Sequence, residues 1–189
     1  MHRNESSHLI RPNFPALLPV LLAGILALSA FSPILLMAES ISANQWRVFA
    51  VAYPDDRNVE VTLGGSMRTL TTRGVSTVRW SDGTAAVELK IENLPSPSET
   101  GLSGSQYVLW AIDEDSNPTN LGTIPISGKN VEWKIQVPSR IFGLLITAEN
   151  SAQVTTPSAA VALESLLPIN PDLVVPVFRV DVALVAAGS

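Results

Sequence analysis

The sequence contains no cysteine. This absence excludes disulfide bonds, thiolate nucleophiles, zinc–thiolate sites and lipid attachment through a lipobox cysteine. Histidine is scarce too. The sequence has only two, His2 and His8, and both precede a long apolar segment. The rest of the chain therefore lacks the commonest general base and the histidine of a Ser-His-Asp triad. We predict that the protein is not an enzyme and uses no cofactor.

Charged residues are also few, making up 15% of the 189 residues, and the formal net charge is -5. A protein that binds a phosphate backbone needs a basic surface, so we expect no nucleic-acid partner. The length suits one domain that is large enough to build a hydrophobic core without disulfides.

A long segment without charged side chains, residues 14–38, follows the first residues of the chain. About 20 apolar residues suffice to cross a bilayer, so this segment can be a retained membrane anchor. It can also be a cleaved signal peptide, with candidate cleavage positions at residues 27–29 and 38–40. Arg3 and Arg11 precede the segment, which predicts a cytoplasmic start. Everything after Glu39 is then extracytoplasmic: in the periplasm, at the cell surface or secreted.

Beyond Glu39, apolar and polar residues alternate with the period of two that half-buried strands show, and no helical period is evident. Frequent turn residues separate these segments. The predicted strands cover residues 46–53, 59–63, 67–72, 76–80, 85–92, 106–112, 120–124, 131–137, 141–148, 159–163 and 177–184.

Two hairpins organise this pattern. The strand at residues 106–112 is apolar in both of its alternating sets of side chains, so we expect it to be covered on both faces and to pair with residues 120–124. Asp82-Gly83 joins the other pair of strands, in the dipeptide that two-residue hairpin turns favour. Residues 94–104, rich in proline and glycine, are predicted to form a loop without strand or helix.

The last predicted strand, residues 177–184, follows a proline-rich link. It can return as an edge strand of its own sandwich, with Pro176 limiting further pairing. It can instead add to the sheet of a neighbouring molecule.

These segments together predict an all-β fold, an antiparallel β-sandwich preceded by an apolar signal or anchor helix. We divide the chain into a signal peptide or membrane anchor at residues 1–38 and a link with the first strand at 39–58. The β-sandwich domain follows at 59–165, and a proline-rich link with the C-terminal strand at 166–189.

Three parts of the sequence carry a resemblance to a known family: the run Tyr107-Val-Leu-Trp110, the turn Asn120-Leu-Gly122, and the strand from Phe142 to Glu149, followed by Pro157-Ser158. They resemble the immunoglobulin-like extracytoplasmic domains of bacterial envelope proteins. Within that group they are similar to the outer domain of anti-sigma-K-type factors. The resemblance implies an immunoglobulin-like β-sandwich outside the membrane.

The chain departs from the anti-sigma pattern at its beginning. Only some 13 residues precede the apolar segment, too few for a cytoplasmic sigma-binding domain, and no His/Cys zinc motif is present. We therefore expect the fold of the outer domain without the regulatory activity.

One turn has the spacing of a metal site. Asp113, Asp115 and Asn117 match the first oxygen ligands of a calcium loop. Pro118 stands where that loop needs its turn glycine, and no acidic residue closes it. Aspartate and asparagine are also ordinary turn residues, so a solvated hairpin turn is the preferred interpretation over a calcium site.

Four tryptophans, Trp46, Trp80, Trp110 and Trp133, could stack against sugars if two were exposed side by side. Because each lies in an alternating strand pattern, we predict instead that they belong to the core.

Two hypotheses about function follow. The first is a non-enzymatic envelope module, exported or tethered, that binds a protein or an envelope component. The alternative is an extracellular carbohydrate-binding module, or a glycosidase built on carboxylates such as Glu88 and Glu149.

Overall fold

The computed structural model describes residues 44–168 and 174–187. The predicted signal or anchor at residues 1–38 lies outside these residues. Within the described ranges, no helix is long and apolar enough to span a membrane.

Ten strands and one helical turn make up the described part of the chain. Their bounds are β1 Gln45–Ala52, β2 Asn58–Gly65, β3 Arg73–Ser81, β4 Thr84–Glu92, α1 Pro97–Thr100, β5 Gln106–Ile112, β6 Pro118–Thr123, β7 Val131–Val137, β8 Ile141–Glu149, β9 Val161–Ser165 and β10 Val177–Ala183.

Both predicted hairpins are confirmed. β3 and β4 pair antiparallel around Asp82 and Gly83, whose positive φ angles of 51° and 78° are those of the two central residues of a type I′ turn. β5 pairs antiparallel with β6 on one side and with β8 on the other. β5 therefore lies between two partner strands, and β6 is the outer strand of the hairpin.

The antiparallel strands form a nearly closed, barrel-like arrangement. Hydrogen-bonded neighbours follow the order β10-β1-β8-β9-β2-β3-β4-β7, and β5 with its partner β6 branches off β8. β8 is the branch point because its first residues pair with β1 whereas the rest of the strand pairs with β5 and β9. The all-β antiparallel prediction is confirmed in this form.

The core consists of two clusters, and β5 contributes to both. Tyr107, Leu109 and Ala111 lie in the larger cluster. Val108, Trp110 and Ile112 lie in the smaller one. Each of these six side chains is at most 4% exposed. The prediction that this strand is covered on both faces is therefore confirmed.

The predicted strand at residues 67–72 is wrong. These residues form successive turns, with the Thr69 N–H donating to the Ser66 carbonyl and the Thr72 N–H to the Thr69 carbonyl. Met67 and Leu70 are 90% and 64% exposed. Apolar residues here do not mark a buried face, because no neighbouring strand covers them.

The loop at residues 94–104 contains the short helix α1, which corrects the prediction of a loop without helix. Pro97 occupies its first turn, where a missing N–H costs nothing. The Glu99 carboxylate accepts a hydrogen bond from the Ser96 N–H (2.7 Å), which is half of a capping box. Gly101, with φ of 69°, ends the turn.

The C-terminal strand returns to its own sheet. β10 pairs antiparallel with β1 through seven residue pairs, from Gln45↔Ala183 to Val51↔Val177. Val180 and Val182 of β10, and Leu184 just after it, belong to the smaller core cluster. The prediction of an edge strand within the same molecule is confirmed.

The antiparallel order places alternate connections at opposite ends of the barrel. We call one of them the entry end, because β1 begins there next to Asn44. It also holds the connections at residues 66–72, 93–105, 124–130 and 150–160. The opposite end holds the connections at residues 53–57, 82–83, 113–117 and 138–140.

Candidate functional site

The predicted calcium turn is a hydrogen-bonded turn at the opposite end. One carboxylate oxygen of Asp113 accepts hydrogen bonds from the N–H groups of Asp115 (3.0 Å) and Asn117 (2.8 Å). The other accepts one from the Asn117 side-chain amide (3.0 Å). Among the described residues, no group of three or more His, Cys, Asp or Glu side chains could hold a metal ion. The hydrogen bonds explain the conformation of this turn without a cation.

All four tryptophans lie in or pack against the core clusters, as predicted, but they differ in burial. Trp110 is fully buried, whereas Trp46, Trp80 and Trp133 are half-buried. They lie at the start of β1, near the end of β3 and in the middle of β7. In the described ranges, the one close ring pair is Tyr53–Phe142. The structure therefore brings no two tryptophans together as a stacking platform.

The two carboxylates considered for a glycosidase have unrelated surroundings. Glu88, on β4, forms an exposed ion pair with Lys134 (2.5 Å), and the hydrogen bond from Lys134 lowers the pKa of Glu88. Glu149 is the last residue of β8 and is 4% exposed. Three strands separate β4 from β8 in the sheet order, so the structure does not bring these carboxylates together.

Glu149 belongs to a buried hydrogen-bond network that the sequence pattern does not predict. The Trp110 indole N–H donates to the Thr147 hydroxyl (2.8 Å), which in turn donates to the Glu149 carboxylate (2.5 Å). The Ser158 N–H donates to the same carboxylate oxygen (2.8 Å). We call Trp110, Thr147, Glu149 and Ser158 the Trp110–Glu149 network.

The Trp110–Glu149 network contains residues that carry the family resemblance. Trp110 ends the Tyr107–Trp110 run, Thr147 and Glu149 end the later strand, and Ser158 follows both. Their polar groups are directed at one another in the interior, where an unsatisfied donor or acceptor would be costly. These residues therefore act on the stability of the fold and do not form an accessible site.

A cavity lies at the entry end, where the connection at residues 93–105 meets the one at residues 124–130. We call this space of about 520 Å³ the entry-end cavity. Its lining is formed by Ser96, Pro97, Glu99, Ser105, Gln106, Tyr107, Ile124, Ile126, Gly128 and Lys129.

Apolar and charged groups occupy different parts of the entry-end cavity. Ile124 is 4% exposed, whereas Ile126 is 37% exposed. The Tyr107 hydroxyl donates to the Pro95 carbonyl (3.0 Å), and burial raises the pKa of Tyr107. An exposed ion pair between Glu99 and Lys129 (3.6 Å) adds charge to this lining. The cavity thus combines a buried apolar part with exposed polar groups.

The cavity lies beside the gap in the barrel. β6 pairs with β5 alone, and the described residues give β7 no partner except β4, so the hydrogen-bonded sheet does not close between β6 and β7. Trp133 of β7 lies against Gly122 of β6, where a Cβ atom would be 3.7 Å from the tryptophan ring. Side-chain packing therefore fills part of this gap.

A second cavity at the entry end, of about 340 Å³, lies beside the start of β1. Trp46, Met67, Arg68, Leu102 and Val161 are among its lining residues. Trp46 is held there by a hydrogen bond from its indole N–H to the Glu164 carboxylate. Burial raises the pKa of Glu164, and the hydrogen bond from Trp46 opposes this shift.

Comparison with known proteins gives no match: no family model, no curated protein and no solved structure is significantly similar to this chain.

Proposed function

We propose that the protein is a non-enzymatic module of the bacterial cell envelope, exported or tethered by residues 14–38. It binds another protein or an envelope component through the entry-end cavity. In this proposal the barrel-like structure is a variant of the immunoglobulin-like β-sandwich of the domains that the sequence resembles. The domain lies outside the cytoplasmic membrane.

The observation that supports this function is the composition of the entry-end cavity. Binding sites on proteins are concave, with an apolar lining and a small number of polar groups that orient the bound partner. Ile124, Ile126 and Pro97 provide the apolar lining, and Gln106 with the Glu99–Lys129 pair provides the polar groups. The volume of about 520 Å³ can accept several side chains of a partner.

The proposal favours a protein or envelope component over a carbohydrate for a physical reason. Carbohydrate binding by stacking needs an exposed aromatic face, and glycoside hydrolysis needs two carboxyl groups across a cleft. The separate positions of Trp46, Trp80 and Trp133, and of Glu88 and Glu149, offer neither. The carbohydrate hypothesis remains the alternative.

Site-specific photocrosslinking in cells tests the proposal. A photoreactive amino acid at Gln106 faces the cavity, and one at Glu114 lies at the opposite end as the matched position. We expect a discrete crosslinked product from Gln106 alone. Ile126→Glu should abolish that product by placing a charge in the apolar part of the cavity. Val174→Glu, an acidic substitution of an apolar residue that is 97% exposed, should leave it unchanged.

Two outcomes would contradict the proposal. Identical products from Gln106 and Glu114 would show that the cavity is not the binding surface. A reporter fused after Ser189 that is active only in the cytoplasm would show that the domain is not exported.

A further inference from the structure

The turn at residues 66–72 presents apolar and basic side chains to solvent at the entry end. Met67 is 90% exposed and Leu70 is 64% exposed, the most exposed large apolar side chains of the described part of the chain apart from Val174. Arg68 and Arg73 flank them and are also exposed. We call Met67, Arg68, Leu70 and Arg73 the entry-end patch.

The two arginines of the entry-end patch carry charge that other side chains do not neutralise. None of the ion pairs among the described residues involves Arg68 or Arg73. Arg73 donates to the carbonyls of Leu70 (2.8 Å) and Thr72 (3.2 Å), which holds the turn in shape without cancelling its charge. Glu92 lies opposite Arg73 in the β3–β4 register, yet no ion pair joins them in the described structure.

Charge differs between the two ends of the barrel. At the entry end, the connections described above carry Arg68 and Lys129 against Glu99, with Arg73 at the start of β3 and Glu92 opposite it at the end of β4. The connections at the opposite end hold a predominantly acidic set, Asp55, Asp56, Asp82, Asp113, Glu114 and Asp115, against Arg57 and Arg140. An anionic surface would therefore attract the entry end and repel the opposite end.

The length of the link favours a lipid surface as that partner. The uncharged segment ends at Ala38, and β1 begins beside Asn44 at the entry end. Six residue steps span at most roughly 20 Å. If residues 14–38 remain in a bilayer, Asn44 must lie within this maximum span of the membrane. The opposite end of the barrel has no such limit.

We propose that the entry-end patch docks on the surface of an anionic phospholipid bilayer, with Met67 and Leu70 among the headgroups and Arg68 and Arg73 facing lipid phosphates. This inference rests on the tethered form of the proposed function. Exposed apolar side chains combined with basic residues are the combination by which peripheral segments bind membranes. Docking would turn the acidic opposite end away from the membrane.

The absence of cysteine allows a direct test with the full chain in vesicles. Thr71→Cys places a single environment-sensitive fluorophore on the exposed turn beside the patch, and Glu114→Cys places the same label at the opposite end. The vesicles contain either phosphatidylcholine alone or phosphatidylcholine with phosphatidylglycerol, each with and without brominated acyl chains. We expect brominated lipid to quench the label at position 71 and not the label at position 114, and more strongly in the anionic vesicles.

Two substitutions test the roles of charge and apolar surface. Arg68→Gln should lower the ratio of docked to free domains roughly fivefold, as expected for one basic residue near an anionic surface. Arg57→Gln at the opposite end removes the same charge from an arginine outside the ion pairs of the described residues, and should have no effect. Met67→Gln combined with Leu70→Gln should abolish the quenching of the label at position 71.

The possible failures are distinguishable. A chain that floats with the vesicles but shows equal quenching of the labels at positions 71 and 114 overturns docking and leaves the proposed function intact. A fluorescence shift at position 71 that depends on protein concentration and not on brominated lipid overturns docking in favour of contact between copies of the chain. A chain that does not float with vesicles contradicts the tethered form of the proposed function, and docking with it.

Discussion

Thr147→Val tests the Trp110–Glu149 network, because valine keeps the shape of threonine and its preference for strands while removing the hydroxyl. The Trp110 indole N–H would lose its acceptor, and the Glu149 carboxylate would lose one of its two hydrogen-bond donors. Both groups are buried, at 0% and 4% exposure.

The size of the effect follows from these two losses. A buried donor left without a partner costs about 1–3 kcal/mol, and the weakened interaction at the carboxylate adds a similar amount. We therefore expect Thr147→Val to lower the free energy of unfolding by about 2–6 kcal/mol, with little contribution from a cavity. This is a large part of the roughly 5–15 kcal/mol that is typical of a domain.

Urea denaturation followed by circular dichroism measures this change. Thr62→Val, on the exposed face of β2, is the matched control and should change stability by less than about 0.5 kcal/mol. Thr147→Ser keeps the hydroxyl and should cost only about 1 kcal/mol for the lost methyl group. If Thr147→Val were as stable as the Thr62→Val control, the hydrogen bonds of the network would not stabilise the fold.

Three further predictions concern other parts of the barrel. Gly143→Ala should destabilise the domain by about 3 kcal/mol or more in thermal melts, because its Cβ would lie 2.4 Å from the Phe49 carbonyl oxygen. Glu164→Gln should raise stability at neutral pH and have little effect in acid, because a raised pKa in the folded state lowers stability only at pH values above the pKa of this carboxyl group in the unfolded chain. Urea denaturation at several pH values checks this. Truncation after Ser165 removes β10 and the three buried side chains Val180, Val182 and Leu184, at a cost of about 5 kcal/mol or more. We therefore expect a dilute truncated monomer to lose its circular dichroism signal.

Most strands could be predicted from the sequence because their signals are local. The alternation in β2, β4 and β7 appears directly as alternating burial, and the Asp82-Gly83 dipeptide specifies its own turn geometry. The helix α1 also has a local signal, Ser96-x-x-Glu99 with Pro97, which the proline and glycine content of the surrounding loop obscures.

The other features depend on partners that are distant in sequence. The local pattern around Glu149 is that of a polar boundary after an apolar run, but this residue is buried because Ser158 and Thr147 satisfy its carboxylate. Likewise, the barrel-like order depends on β8 joining β1, β5 and β9, which no pattern within β8 specifies. The entry-end cavity arises from two connections that meet only in the folded chain.

The pairing of β1 with β10 has a mechanical consequence. Gln45 is opposite Ala183, so a link entering β1 and a chain leaving β10 emerge side by side. A force that pulls these two ends apart would load the hydrogen bonds between the strands one pair at a time, beginning at Gln45–Ala183, instead of all at once. Under tension β10 would peel away first, uncovering one edge of β1 and the part of the smaller core cluster that β10 covers.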